Sequence, residues 1–307
     1  MDLLAPMRTF VRVVETGSFT AVAREASTSQ PTISRQIAAL EAHLGARLLT
    51  RSTRALTPTQ DGRAFYEHAR RALEAVGEAE NAVGRRRGRP SGTLKLSIPV
   101  VFGRLHVVPR LGRFLARYPE LSIELAMGDG FADLVEQGID LAIRVGVVQD
   151  QGLVARRIGT VRRLAVAAPS YLRRRGAPDS PAALASHDCI AYTRLATGNR
   201  WHFQGRDGPI AVDITGRFAT DSSEGVREAV RVGLGVALIP AFAISDEVRR
   251  GRVRVLLRDY EPTPLPLSLV YPSRRLVPLK VRAMADFLAR EFAPDGPGKA
   301  PPTESGG

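Results

Sequence analysis

The chain has 307 residues, 44% of them hydrophobic and 24% charged, with a formal net charge of +13. That length exceeds one ordinary core and calls for two or three modules. No apolar run approaches the ~20 residues of a membrane-spanning helix, no basic-then-apolar leader opens the chain, and a single cysteine, Cys189, excludes an internal disulfide and a cysteine-based metal cluster.

A cytoplasmic protein with no metal or cofactor is expected, with Cys189 as a small buried apolar residue. The positive charge suits a polyanionic partner, but it is spread out. Residues 1–90 hold 14 Arg and no Lys against 9 acidic residues, and the rest of the excess lies further on. Charge therefore predicts a salt-sensitive attraction to DNA without locating the site.

In chain order, Leu3, Met7, Phe10 and Val14 fall at helical spacing and give a first helix with one buried face, ended by Gly17. Ser18 caps a second helix with Phe19, Val22, Ala23 and Ala26 inward. Ser29 caps a third, with Pro31 in its first turn, where a missing N–H costs nothing. Ile33, Ile37, Leu40 and Leu44 should face the core. The opposite strip is then Pro31, Arg35, Ala38 and Ala42, flanked by Thr32, Ser34 and Gln36.

Small and polar residues on such a strip permit close approach to a groove. Arg35 suits bidentate pairing with guanine, and Gln30, Ser34 and Gln36 suit bases or phosphates. Two helices joined by a short turn match the helix-turn-helix, whose second helix enters the major groove. Arg51 and Arg54 fall in an expected β-wing, where arginines reach phosphates or the minor groove. The competing reading is a solvated polar face on an ordinary three-helix domain.

The stretch FVRVVETGSFTAVAREASTSQPTISRQIAALEAHLGARLLTRSTRALTPTQDG resembles the winged helix-turn-helix of LysR-type transcriptional regulators over its full length. The G-S-F-T entry, the Q-P-x-x-S-R-Q-I recognition helix, the L-E-x-x-L-G end and the T-x-x-G wing exit all occur. The resemblance implies that Gln30, Pro31, Thr32, Ser34 and Arg35 face double-stranded DNA, with Arg51 and Arg54 in the wing. Asp61 departs from the family, which more often has a small residue there, and should affect only the start of the next helix.

Residues 61–91 read as a linker helix with its end at the RRRGRP stretch. Phe65, Ala69, Ala72, Val76, Ala79 and Val83 recur at spacings of 4, 3, 4, 3 and 4, a coiled-coil seam. The stripe suits either a homodimer or packing on the helix's own domain. The resemblance implies a dimer through this helix, tetramers through the C-terminal domains, and RNA polymerase as a further partner.

From Thr93 the pattern alternates: strand LKLSIP, a helix over 102–117, strand SIELAM, a short helix from Asp133 to Gln137, and strand DLAIRVG. Such alternation argues a mainly parallel sheet with binding loops at strand carboxyl ends. GTLKLSIPVVFGRLHVVP, FLARYPELSIEL, FADLVEQGIDLAIRVG and GLGVALIP resemble the family's effector domain, in particular a subgroup with an S-x-P-V-x-F-G-R first loop.

The fold class implied is therefore α plus α/β. It comprises a winged helix-turn-helix over 1–60, a long linker helix, and a two-lobed effector domain of type 2 periplasmic-binding-protein form over 92–293. Lobe I takes 92–161 and 266–293, lobe II takes 162–265, and 294–307 is a Pro- and Gly-rich tail expected to be disordered. A small-molecule effector would sit between the lobes. Its candidate contacts are Pro99, Val100, Val101 and Phe102, where free N–H groups favour an anion, then Arg144, Val145 and Gly146 at the third strand's end, and Thr193, Arg194, Asp221 and Ser222 from lobe II. Structural roles compete with each, an ion pair within the lobe for Arg144.

Many family members carry a hydroxyl in the first loop where this chain has Val100–Val101, which points to a more apolar ligand or to weak sensing. The rival readings are a transported-solute binding protein, an enzyme, and a ligand-independent architectural DNA protein. Residues 1–60 oppose the first. Against the second, no H-E-x-x-H, Walker A or G-x-S-x-G motif occurs, and the five His are scattered.

Overall fold

The structure is a computed structural model that describes residues 3–51, 56–83, 89–130, 134–148, 150, 152–195, 197–272 and 277–293. The chain divides into two compact units, Met1–Arg89 and Pro90–Gly307.

The first unit contains helices α1 (Leu4–Thr16), α2 (Phe19–Glu25) and α3 (Gln30–Leu44), a hairpin of β1 (Leu49–Arg51) and β2 (Leu56–Pro58), and the long helix α4 (Gln60–Val83). Its core gathers Phe10, Val13, Phe19, Val22, Ile33, Ile37, Leu40 and Leu48. Burial of side chains of this size contributes roughly 1.5–3 kcal/mol each. Two inward assignments fail. Leu44 is 38% exposed, as the last residue of α3, where the helix ends. Ala26 follows the end of α2 and is exposed.

The motif residues have local reasons. Ser18 and Ser29 accept the N–H groups of Ala21 and Thr32, capping α2 and α3. Gly45 ends α3 at φ +66°, a left-handed conformation that suits glycine. Glu41 accepts the N–H groups of both Leu48 (2.8 Å) and Leu49 (3.1 Å), fastening the wing to α3. Thr59 donates its hydroxyl to the Arg47 carbonyl and accepts the Gly62 N–H, so the wing exit caps α4. Asp61 lies in the first turn of α4, where the helix dipole favours a carboxylate.

The second unit starts with β3 (Gly92–Ile98), α5 (Val100–Phe102), a π-helical turn over Gly103–Val107, and α6 (Val108–Arg117). Next come β4 (Leu121–Met127), β5 (Leu141–Val145), β6 (Leu153–Val161), β7 (Arg163–Ala167) and α7 (Pro169–Arg175). The chain continues through β8 (Cys189–Tyr192), β9 (Arg200–Gly205), β10 (Gly208–Asp213), β11 (Phe218–Thr220), α8 (Ser223–Arg231), β12 (Val236–Pro240) and α9 (Ala241–Arg249). It ends with β13 (Arg254–Leu256), β14 (Glu261–Pro262), β15 (Leu265–Pro272) and α10 (Leu279–Glu291).

Lobe I is built on the sheet β4-β3-β5-β15-β6, and lobe II on β11-β8-β12-β7-β13 with a small β10-β9-β14 sheet beside it. Neither large sheet is mainly parallel. In lobe I β3 runs parallel to β4 and β5, whereas the returning β15 is antiparallel to β5 and β6. In lobe II β8 is parallel to β11 and β12, and β7 antiparallel to β12 and β13. The cause is connectivity: each lobe accepts a strand arriving from the other, and that strand enters antiparallel. The helix expected over 102–117 begins at Val100 and contains the π turn. Of the short helix expected from Asp133 to Gln137, the described residues show no helix. Leu134–Gly138 forms a turn, and Asp133 lies outside the described residues.

Candidate DNA-reading face and effector cleft

On α3, Gln30, Pro31, Arg35, Ala38 and Ala42 are exposed, while Thr32 and Ser34 are half-buried beside them. The strip follows from geometry, since Ile33, Ile37 and Leu40 take the opposite face into the core. Pro31 sits in the first turn, and the helix start offers partial positive charge to a phosphate.

Gln36 leaves the strip. It is half-buried, and its side-chain oxygen accepts the Thr9 hydroxyl of α1 at 2.7 Å. In the wing, the backbone of Arg51 pairs with Leu56, and Thr50 bonds Thr57 across the hairpin. The Arg51 side chain and all of Arg54 lie outside the described residues.

On α4, Phe65 packs on Phe10 with ring centroids 5.5 Å apart, and Ala69 is fully buried. The first part of the stripe thus packs on the helix's own unit, while Ala72 and Val76 are half-buried and Ala79 is exposed. The Val83 side chain lies outside the described residues, as does the tail from 294.

Between the lobes lies a cleft with mostly apolar walls. Pro99, Val101, Phe102, Arg144, Val145 and Arg194 line it. Val100, Gly146, Thr193, Asp221 and Ser222 do not. The Gly146 N–H donates to Pro266, and the Thr193 N–H to Thr220. Asp221 pairs with Arg194 at 2.7 Å, and Ser222 caps α8. Nor is the first strand–helix junction open to an anion in the way expected, because the Val100 N–H donates to Asp129 Oδ1 at 3.1 Å.

Val101 is 2% exposed and belongs to the lobe II core with Val166, Ile190 and Val226. An apolar side chain is needed there because it plugs the opposite lobe. Arg144 is held within lobe I by the Ser97 hydroxyl and the Ile143 carbonyl, both at 3.1 Å. Burial lowers its pKa.

Arg163, Asp129, Tyr192, Ser223, Leu238 and Phe242 also line the cleft. Sequence reasoning passed over them. The first strand of lobe II signals only its apolar run, and Asp129 stands in an unremarkable G-D-G loop. Arg163 donates twice to the Thr263 carbonyl (3.0 and 2.6 Å), joining the two strands that cross between lobes. Burial pushes its pKa down to about 10, still well above neutrality. The cleft therefore presents arginines within apolar walls, an environment for a small molecule with an apolar body and a few polar groups.

Chemistry elsewhere is structural. The Cys189 thiol is buried, its pKa is pushed up to about 12 by burial and by Asp188, and it contacts the Leu184 carbonyl. Among the described residues no cluster of His, Cys, Asp and Glu could hold a metal, and no helix is long and apolar enough to cross a membrane.

Comparison with known proteins gives a family for both parts of the chain. Residues 4–63 match the bacterial regulatory helix-turn-helix protein of the lysR family, and residues 87–293 match the LysR substrate binding domain. The chain is 33% identical to the transcriptional activator AaeR of Escherichia coli over 297 residues, covering 96% of each chain. It is 36% identical to the regulator PtxR of Pseudomonas aeruginosa over 281 residues, covering 91% of this chain and 89% of PtxR. Among solved structures, full-length CrgA of Neisseria meningitidis, a LysR-type regulator, is 30% identical with a TM-score of 0.58, covering 94% of this chain and 98% of CrgA. The virulence activator AphB of Vibrio cholerae is also 30% identical, with a TM-score of 0.55 and the same coverage. The chain belongs to the LysR family: it is a DNA-binding transcriptional regulator, not an enzyme, with a substrate-binding effector domain.

Proposed function

We propose that this regulator reads a specific DNA site with Gln30, Pro31, Thr32, Ser34 and Arg35, and that Arg51 and Arg54 flank the contact from the wing. The observation that carries this reading is the exposed strip on α3, whose opposite face is held in the core and whose first turn is capped by Ser29. Two copies pair through the later part of α4, so that two recognition helices address a pseudo-palindromic site. Tetramers then form through the effector domains, and the assembly acts in the cytoplasm with RNA polymerase. A small molecule with an apolar body enters the cleft, alters the packing of effector domains, and thereby changes the spacing of the DNA-binding heads and the bend of the DNA.

Footprinting on the DNA upstream of the protein's own coding sequence tests the reading. A protected pseudo-palindrome is expected. Arg35→Ala should cost roughly 1–3 kcal/mol in affinity and relax base choice at one position of each half-site. Equal weakening on every sequence would make Arg35 a phosphate contact. A saturating ligand that left footprint and bend unchanged would overturn the coupling.

A further inference from the structure

Asp129 follows β4 in lobe I, and its carboxylate bridges the cleft. Oδ1 accepts the N–H of Val100, the first residue of the helical run 100–117 in lobe I. Oδ2 accepts both the N–H (2.7 Å) and the hydroxyl (2.6 Å) of Ser223, the first residue of α8 in lobe II. One side chain thus serves two helix starts from opposite lobes. Charge-assisted hydrogen bonds of this kind are short and strong, and helix starts favour a negative charge.

Contacts around the carboxylate join the same two lobes. Val101 inserts into the lobe II core. The Phe102 ring meets Phe242 of α9 at 5.5 Å, and Arg104 pairs with Glu224 of α8 at 3.3 Å.

We propose that Asp129 is a built-in stand-in for a ligand carboxylate. It latches the lobes together and reserves both helix starts, so the effector must engage the rest of the cleft. The physical reason is competition. A carboxylate attached to the same chain acts at a far higher effective concentration than a dissolved one, and its charge repels a second anion at the same place. The effector therefore presents no carboxylate to the Val100 and Ser223 amides. Recognition falls to the apolar walls and to the arginines that line the cleft, Arg144 and Arg163 among them. The specificity part of this inference rests on the cleft being the effector site, whereas the latch itself does not.

The test measures the distance between spin labels on lobe I and lobe II in the full-length chain, placed at Glu124 and Arg206. Labelled chains are diluted with unlabelled ones, and Cys189 is replaced by Ala. The wild-type chain should give one narrow distribution that sodium acetate does not alter. Asp129→Ala should broaden or lengthen it, and acetate should restore the narrow form saturably while chloride does not. Asp129→Asn, which keeps the shape but loses one acceptor oxygen, should fall between the two, and its thermal midpoint checks folding. An unchanged distribution in Asp129→Ala, or an equal response to acetate in wild type and variant, overturns the latch. No effector enters this experiment, so its failure is distinct from a failure of the cleft reading, which the footprint with ligand reports.

Discussion

Gly62 shows how one position can decide the wing. A Cβ placed there would lie 1.9 Å from the Leu48 carbonyl oxygen, and no side-chain rotation relieves a clash with backbone. Gly62→Ala should shift the wing from α4 and cost roughly 1–3 kcal/mol, the usual range for overpacking. A lowered thermal midpoint together with weakened DNA binding is the expected pair of readings, and an unchanged midpoint would count against the packing argument. Glu41 works toward the same end from the other side, holding the Leu48 and Leu49 amides. The G of T-x-x-G and the E of L-E-x-x-L-G therefore converge on the single strand entry at Leu48.

At the scale of elements, α4 divides along its length. Phe65 and Ala69 are taken up by their own unit, so the proposed dimer seam is left to Ala72 and Val76 further on. Val76→Glu would place a charge in that seam, where an unpaired buried carboxylate is strongly disfavoured. Sedimentation should then report half the wild-type mass for a dimer, and an unaltered mass would place the pairing surface elsewhere. The seam's periodicity ran unbroken through both parts, because a helix packing on its own domain and a helix packing on a partner need the same spacing. Only the packing of Phe65 against Phe10 tells the two stretches apart.

At the scale of the whole effector unit, the lobes are joined by two crossing strands, and Arg163 ties one crossing to the other. Arg163→Ala removes the charge-assisted hydrogen bonds to the Thr263 carbonyl, at a cost of about 1.5–3 kcal/mol. It also loosens the lobes relative to each other. Calorimetry should show a lower midpoint and a broader transition for the variant. A midpoint equal to that of the wild type would mean that backbone pairing alone sets the crossing. Asp129 and Arg163 thus both line the cleft, one as the proposed latch and the other at the crossing between lobes.

What the sequence by itself determined is the content of local rules. Gly17, Ser18 and Ser29 mark helix ends, Ile33, Ile37 and Leu40 mark one buried face, and the exposed strip through Pro31 and Arg35 then follows, because a helix has only one opposite side. Those signals lie within a few residues of one another. The cleft was legible only in outline. Pro99, Phe102 and Arg144 could be placed at strand ends, but Val100, Gly146, Thr193, Asp221 and Ser222 could not be told apart from true lining residues. Gln36 likewise read as part of the DNA strip until its contact with Thr9 placed it against α1. Tertiary structure alone decided that Asp129 meets Ser223, 94 residues away, and that Val101 of one lobe completes the core of the other. Such pairings depend on how two sheets exchange strands, and no periodicity or spacing along the chain encodes that exchange.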